Sequence, residues 1–192
     1  NKYSNLDYNM KWISMNKASI KFNEINTNYS FNTLEDLRAI RFKNYNIGIG
    51  VASTLITDLS DPDPFPISDK YLSEIKEQIK SAQRSIVLAE HLLSQKKYDS
   101  IVLFNGRMAC EHAFKQVAKS KGIKIYFHER VKTNTRFFFE EYQPHNFDKR
   151  KEEMKLIKQE IPDKIINRIG EEFFKRKVEG DGVFEESYTK KL

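Results

Sequence analysis

The sequence predicts an α/β fold, a parallel sheet flanked by helices, and three patterns carry that prediction. Two short apolar runs, Ile101-Val-Leu-Phe104 and Ile123-Lys-Ile-Tyr-Phe127, each end in polar residues and are separated by a stretch of helical length. This is the pattern of a βαβ unit. A long stripe of apolar residues precedes it, and a proline-rich break precedes the stripe. In a parallel pair both strands point the same way, so Asn105-Gly106-Arg107 and His128-Glu129-Arg130 are expected side by side at the carboxyl edge, where open α/β sheets bind ligands.

Taken in chain order, residues 1–30 mix Asn, Lys, Tyr and Ser with apolar patches at Trp12-Ile13 and Ile20-Lys-Phe22, which suits edge strands. Phe31 to Arg38 opens a helix: Asn32 or Thr33 can cap it, and Glu35 and Asp36 suit its positive end. From Ile47 to Leu59 helix and strand compete, and helix is favoured. Asp61-Pro-Asp-Pro-Phe-Pro66 excludes a continuous helix and favours an extended connector. Ser68 or Asp69 then caps a long helix whose Leu72, Ile75, Ile79, Ala82, Ile86, Ala89 and Leu93 follow steps of three and four. Val87, Leu88 and Leu92 broaden the second half of the stripe, so that end is expected to be buried most deeply.

Between the two strands, Cys110, Ala113, Phe114, Val117 and Ala118 share one helix face, with Lys115, Lys119 and Lys121 elsewhere. Gly122 ends this helix as a residue able to take positive φ. Arg136-Phe-Phe-Phe139 reads as a further strand or an aromatic wedge, and Gln143-Pro-His-Asn146 as a loop. Asp148 to Lys158 is a charged helix. A last helix starts at Ile161-Pro-Asp163, carries Ile165, Ile166, Ile169, Phe173 and Phe174 on one face, and stops at Gly180-Asp-Gly182.

Composition narrows the function classes. The 192 residues suffice for one α/β domain with a long central helix and βαβ unit over residues 69–145 and carboxyl-terminal helices over 147–180. With four His, one Cys and neither a CxxC nor an HExxH spacing, the sequence gives no sign of a structural zinc site or disulfide framework, and a reducing compartment fits. No apolar run reaches the length of a membrane span. The lack of an initiating Met and the ending Thr189-Lys-Lys-Leu192 suggest a piece of a longer polypeptide. The net charge of +6, from 33 basic and 27 acidic residues, suits anionic ligands or lipid headgroups but most often serves solubility. Nucleic-acid binding is disfavoured, because neither an aromatic RNA-binding motif nor a basic recognition helix is present.

Two strand ends hold the candidate chemistry. Gly106 lets the backbone turn tightly, and the first free N–H groups of the following helix, around Met108 to Cys110, would face an anion or a sugar hydroxyl. An ordinary strand-to-helix turn with an exposed Arg would look the same. Glu111, one turn beyond Arg107, can pair with it or complement the helix dipole, and the structural role is preferred. His128 can move protons near neutral pH, Glu129 can accept a hydroxyl proton, and Arg130 can grip a phosphate or carboxylate. Alternation along a strand puts His128 and Arg130 on one face and Glu129 on the other. His145 is a possible third contributor, and His91 and His112 are assigned nothing.

The succession of a long helix, Tyr98-Asp-Ser-Ile-Val-Leu-Phe-Asn-Gly-Arg107, a helix with Glu111, Gly122-Ile-Lys-Ile-Tyr-Phe-His-Glu-Arg130, an aromatic segment and Pro144-His145 resembles the amino-terminal half of bacterial capsular and surface polysaccharide biosynthesis proteins. Those proteins are glycosyltransferase-like and of the two-domain GT-B type. Phe173 to Gly180 is similar to the helix leading towards their second domain, while Val131 stands where Gly is common in the family. The resemblance implies a Rossmann-like parallel sheet flanked by helices, one half of a GT-B enzyme, with no cofactor and no required metal. It implies a glycan or lipid-linked acceptor, a sugar nucleotide held mainly by a missing carboxyl-terminal domain, and a cytoplasmic location, either free or at the inner face of the membrane. Glu129 and His128 are then the catalytic candidates, and Asn105, Gly106, Arg107 and Arg130 the substrate-binding ones. The competing expectation is a non-catalytic module that binds a phosphorylated metabolite, a glycan or a partner protein at the same edge.

Overall fold

A computed structural model describes residues 22–26, 28–62, 64–130 and 137–179. The chain is α/β, with a short α1 at Leu34–Ala39, a hairpin of β1 (Arg41–Phe42) and β2 (Tyr45–Asn46), α2 at Gly48–Leu59 and the long α3 at Asp69–Gln95. Then come β3 (Ser100–Phe104), α4 (Ala109–Ser120), β4 (Lys124–Arg130), β5 (Phe137–Glu140), α5 (Phe147–Glu160) and α6 (Asp163–Val178). The start of α1 follows from its sequence: the Thr33 hydroxyl accepts from the Asp36 N–H while the Asp36 carboxylate accepts from the Thr33 N–H, a capping box. Those bonds hold the Asp36 carboxyl below its usual range, with the Asn32 N–H contributing most. Ser68 stands at the N-cap of α3, but its side chain makes no capping bond.

The main core lies among helices. Ile75, Ile79, Ala82, Ile86 and Ala89 of α3 are buried against Leu37, Ile47, Val51, Ala52, Ala113 and Val117. Each such Ile contributes roughly 1.5–3 kcal/mol by leaving water. Burial along α3 is densest from Ala82 to Ala89, in the second half of the helix as expected, and eases at Leu92 and Leu93, which are half-buried. Gly48 lets α2 start against the Leu37–Arg38 backbone, where a Cβ has no room. Buried Gln83 ties the incoming chain to α3: its Oε1 accepts from the Asn26 N–H at 3.1 Å, and its Nε2 donates to the Asn26 carbonyl at 2.7 Å and the Tyr29 hydroxyl at 2.9 Å.

The sheet order is β3-β4-β5. β3 and β4 are parallel, with Phe104 opposite His128, and β5 returns antiparallel, with Phe139 opposite His128. The sheet is therefore mixed and small. α4 covers one face, where Ile125 and Phe127 pack with Ala118, Leu93, Ile101, Leu103 and Phe138. On the other face Val102, Phe104 and Phe139 stand about half exposed.

Residues 22–26 and 28–30 form no strand, and the apolar patch at Trp12-Ile13 lies outside the described residues, as do Arg136 and Gly180-Asp-Gly182. No residue of α5 is buried, and Ile165, Ile169 and Phe174 of the α6 stripe are exposed. No described helix is long and apolar enough to cross a membrane.

Candidate functional site

At the end of β3 the chain turns through two consecutive left-handed residues, Asn105 at φ 54° and Gly106 at φ 75°. Asn tolerates that region better than most residues. Gly106 has no alternative, because a Cβ there would strike the Phe127 ring. The Asn105 N–H donates to the His128 carbonyl at 3.0 Å, which locks the turn to the end of β4.

This lock aims the buried Asn105 side chain at two neighbours. Its Nδ2 donates to Glu129 Oε2 at 3.1 Å and to His145 Nε2 at 3.2 Å. A carboxylate oxygen only accepts, so the amide nitrogen rather than its oxygen must face Glu129. The imidazole nitrogen on the same amide then carries no proton. Glu129 Oε2 and His145 Nε2 are 4.0 Å apart. Burial, and then the Arg107 guanidinium, hold the His145 pKa below its ordinary value against the opposing pull of Glu129. Near neutral pH the cluster therefore pairs an unprotonated imidazole with a carboxyl group, both partly open to solvent and both held by one amide.

The remaining candidates divide. Arg107 leans towards α2, where its Nη2 donates to Thr57 Oγ1 at 3.2 Å; its Nε is buried without a hydrogen-bond partner among the described residues. His128 and Arg130 lie on the opposite face of β4 from Glu129, His128 edge-on to Phe104 with ring centroids 5.3 Å apart and Arg130 opposite Phe137. Strand alternation separates His128 from Glu129, as expected from the sequence. His145 stands beside Glu129 instead.

At the start of α4 one of the N–H groups expected to face a ligand is already engaged: the Ala109 N–H donates to the buried Thr54 hydroxyl of α2 at 3.0 Å. Among the described residues Glu111 makes no ion pair with Arg107, in keeping with its structural reading.

Two residues given no role by sequence reasoning complete the surroundings. His112 and Lys115, both on α4, are buried. His112 Nε2 lies 3.1 Å from the Asn46 carbonyl, and burial pushes its pKa down to about 4, so the ring is neutral near pH 7. Lys115 Nζ donates to Gln143 Oε1 at 2.9 Å, and Gln143 Nε2 donates to the Asn105 carbonyl at 3.3 Å. Burial, reinforced by Lys119, pushes the Lys115 pKa down to about 8. Lys115 lies off the apolar face predicted for α4 and is nevertheless buried, with its ammonium against the loop that carries Gln143. The only sequence signal was Gln143-Pro-His145 itself, a polar loop returning after an aromatic strand.

Arg107, His112, Lys115, Gln143 and His145, with Ile49 and Ser53 of α2, line a cleft of about 320 Å³. No group of three or more His, Cys, Asp or Glu side chains able to hold a metal ion forms among the described residues. Compared with known protein families, with curated proteins and with solved structures, the chain finds no match.

Proposed function

We propose that this chain is the acceptor-side domain of a glycosyltransferase of bacterial capsule or cell-surface polysaccharide biosynthesis, working at the cytoplasmic face of the membrane. In that reading it is one Rossmann-like half of a GT-B arrangement, and a further carboxyl-terminal domain holds the sugar nucleotide. The observation that carries the reading is the Asn105–Glu129–His145 cluster at the carboxyl edge of two parallel strands, beside the Arg107 guanidinium. The resemblance supplies the reaction class and the cluster supplies groups suited to it.

Glu129 takes the proton of the acceptor hydroxyl as that oxygen attacks the anomeric carbon and the bond to the departing nucleoside diphosphate breaks. Asn105 aims the carboxylate by donating to it, and the neutral imidazole of His145 marks the far side of the same amide. Arg107 holds an anionic part of the acceptor, with Gly106 allowing the turn that places it. His128 and Arg130, on the open face of the sheet, take no part in proton transfer.

Sugar transfer from labelled sugar nucleotides to surface-glycan acceptors, measured on the complete protein, tests this. Glu129→Gln should lower turnover by about 10²–10⁴-fold, the usual share of a general base, without loss of fold. His128→Ala should leave turnover close to the parent value. Unchanged turnover in Glu129→Gln would remove the carboxylate from the reaction. Glycan binding without turnover for any donor would favour a non-catalytic module, a reading that the cation-lined cleft also suits.

A further inference from the structure

The cleft between α2, α4 and the β5–α5 loop contains an electrostatic imbalance that involves more than Arg107. Lys115 is only 7% exposed, and its ammonium meets a single neutral acceptor, Gln143 Oε1. Arg107 meets a neutral hydroxyl, Thr57 Oγ1, and keeps a buried Nε–H unpartnered. Among the described residues neither cation has a carboxylate partner, although ion pairs are plentiful elsewhere on the molecule. Buried cations are ordinarily paired, because removing them from water without a counter-charge is costly. An anion brought by a ligand supplies that counter-charge.

The geometry also selects the anion. Arg107, Lys115, His145 and Ser53 belong to separate elements, so they line the cleft from several sides. A phosphoryl group offers several oxygens arranged tetrahedrally, whereas a carboxylate offers two in one plane and is satisfied by a single guanidinium fork. The volume of about 320 Å³ sits at the lower end of the roughly 300–1,000 Å³ typical of small-ligand sites. Ile49 is the one apolar residue among those lining the cleft.

We propose that this cleft is a phosphate-binding subsite in which Arg107 and Lys115 grip a phosphoryl group, with His145 between it and Glu129. That the phosphoryl group belongs to the acceptor rests on the function proposed above. The subsite itself does not. The Lys115–Gln143–Asn105 chain of hydrogen bonds links the phosphate grip to the backbone carbonyl of Asn105, whose side-chain amide aims Glu129, so an occupied cleft holds the acceptor at a fixed distance from its base.

Calorimetric titration of the intact protein with inorganic phosphate, against acetate at matched ionic strength, tests the subsite. Saturable binding of one phosphate per chain is expected, with acetate at least tenfold weaker. Lys115→Met, which keeps the length of the side chain and removes its charge, should weaken phosphate at least tenfold, and Lys115→Arg should restore most of it. Should Lys115→Met fail to fold, Arg107→Gln serves instead, read as loss of the rise in melting temperature that phosphate gives the parent protein. Acetate binding as tight as phosphate, or phosphate binding indifferent to these substitutions, overturns the subsite. Glycan acceptors with and without a phosphate ester separate the two claims: phosphate binding with no preference between the acceptors overturns the acceptor assignment and leaves the subsite standing.

Discussion

The two faces of the three-stranded sheet carry alternate residues of the same strands and differ in almost everything else. On the face under α4, Phe127 is buried, Gly106 is pressed against its ring, and Glu129 lies at the end of the same row with its carboxyl held by Asn105. On the other face Phe104 and Phe139 are half exposed, and His128 rests edge-on against Phe104. Packing converts one row of side chains into fixed geometry. The row one residue out of step has no covering element among the described residues.

Substitutions can break or sharpen this contrast. The largest effect is expected at Phe127→Ala, which should cost about 3–5 kcal/mol in urea unfolding through the cavity it leaves. Equal losses at Phe127→Ala and Phe104→Ala would erase the distinction between the faces. Next comes acid. Folded His112 stays neutral down to about 4, whereas in the unfolded chain it takes a proton near 6.5, so the unfolded state binds more protons between those values. Stability from this group is complete above the upper value and is lost as pH falls through the lower one, a change of about 3 kcal/mol at 1.36 kcal/mol per unit. Urea midpoints from pH 7 to pH 4 should show this loss, and the loss should be shallower in His112→Gln.

Gly106→Ala should cost about 1–3 kcal/mol through the strain of a side chain at positive φ, and more where the added methyl displaces the Phe127 ring. It should disturb the spacing of Asn105 from Glu129 as well, read as loss of transfer beyond the loss of folded protein. The smallest effect is expected at Phe104→Ser, within about 0.5 kcal/mol of the parent, as for most exposed sites. A larger loss would show that the outer face is covered in the intact molecule.

Much of this was legible in the residues. The βαβ unit, its parallel pairing and the meeting of Asn105 with Glu129 follow from two β-branched runs with polar ends, and the α3 stripe from its spacing. The placement of the main core did not follow, since an apolar run looks the same whether helices cover one face of a sheet or both. The β1–β2 hairpin has two residues per strand, too few to show a period. Burial of Lys115 is not visible in the spacing of α4, because lysine is almost always exposed and its partner Gln143 comes 28 residues later. His145 reaches Glu129 only because β5 turns back antiparallel, a long-range pairing that local patterns do not encode.

The Gln83 amide has a practical consequence for cutting the protein down. Because its oxygen and nitrogen are all engaged by Asn26 and Tyr29, a truncation that keeps both residues preserves the rivet, whereas one that starts after Tyr29 strands a polar group inside α3's packed side. The shortest amino-terminal boundary at which a recombinant fragment stays folded should therefore fall before Asn26, and limited proteolysis under native conditions should stop short of it.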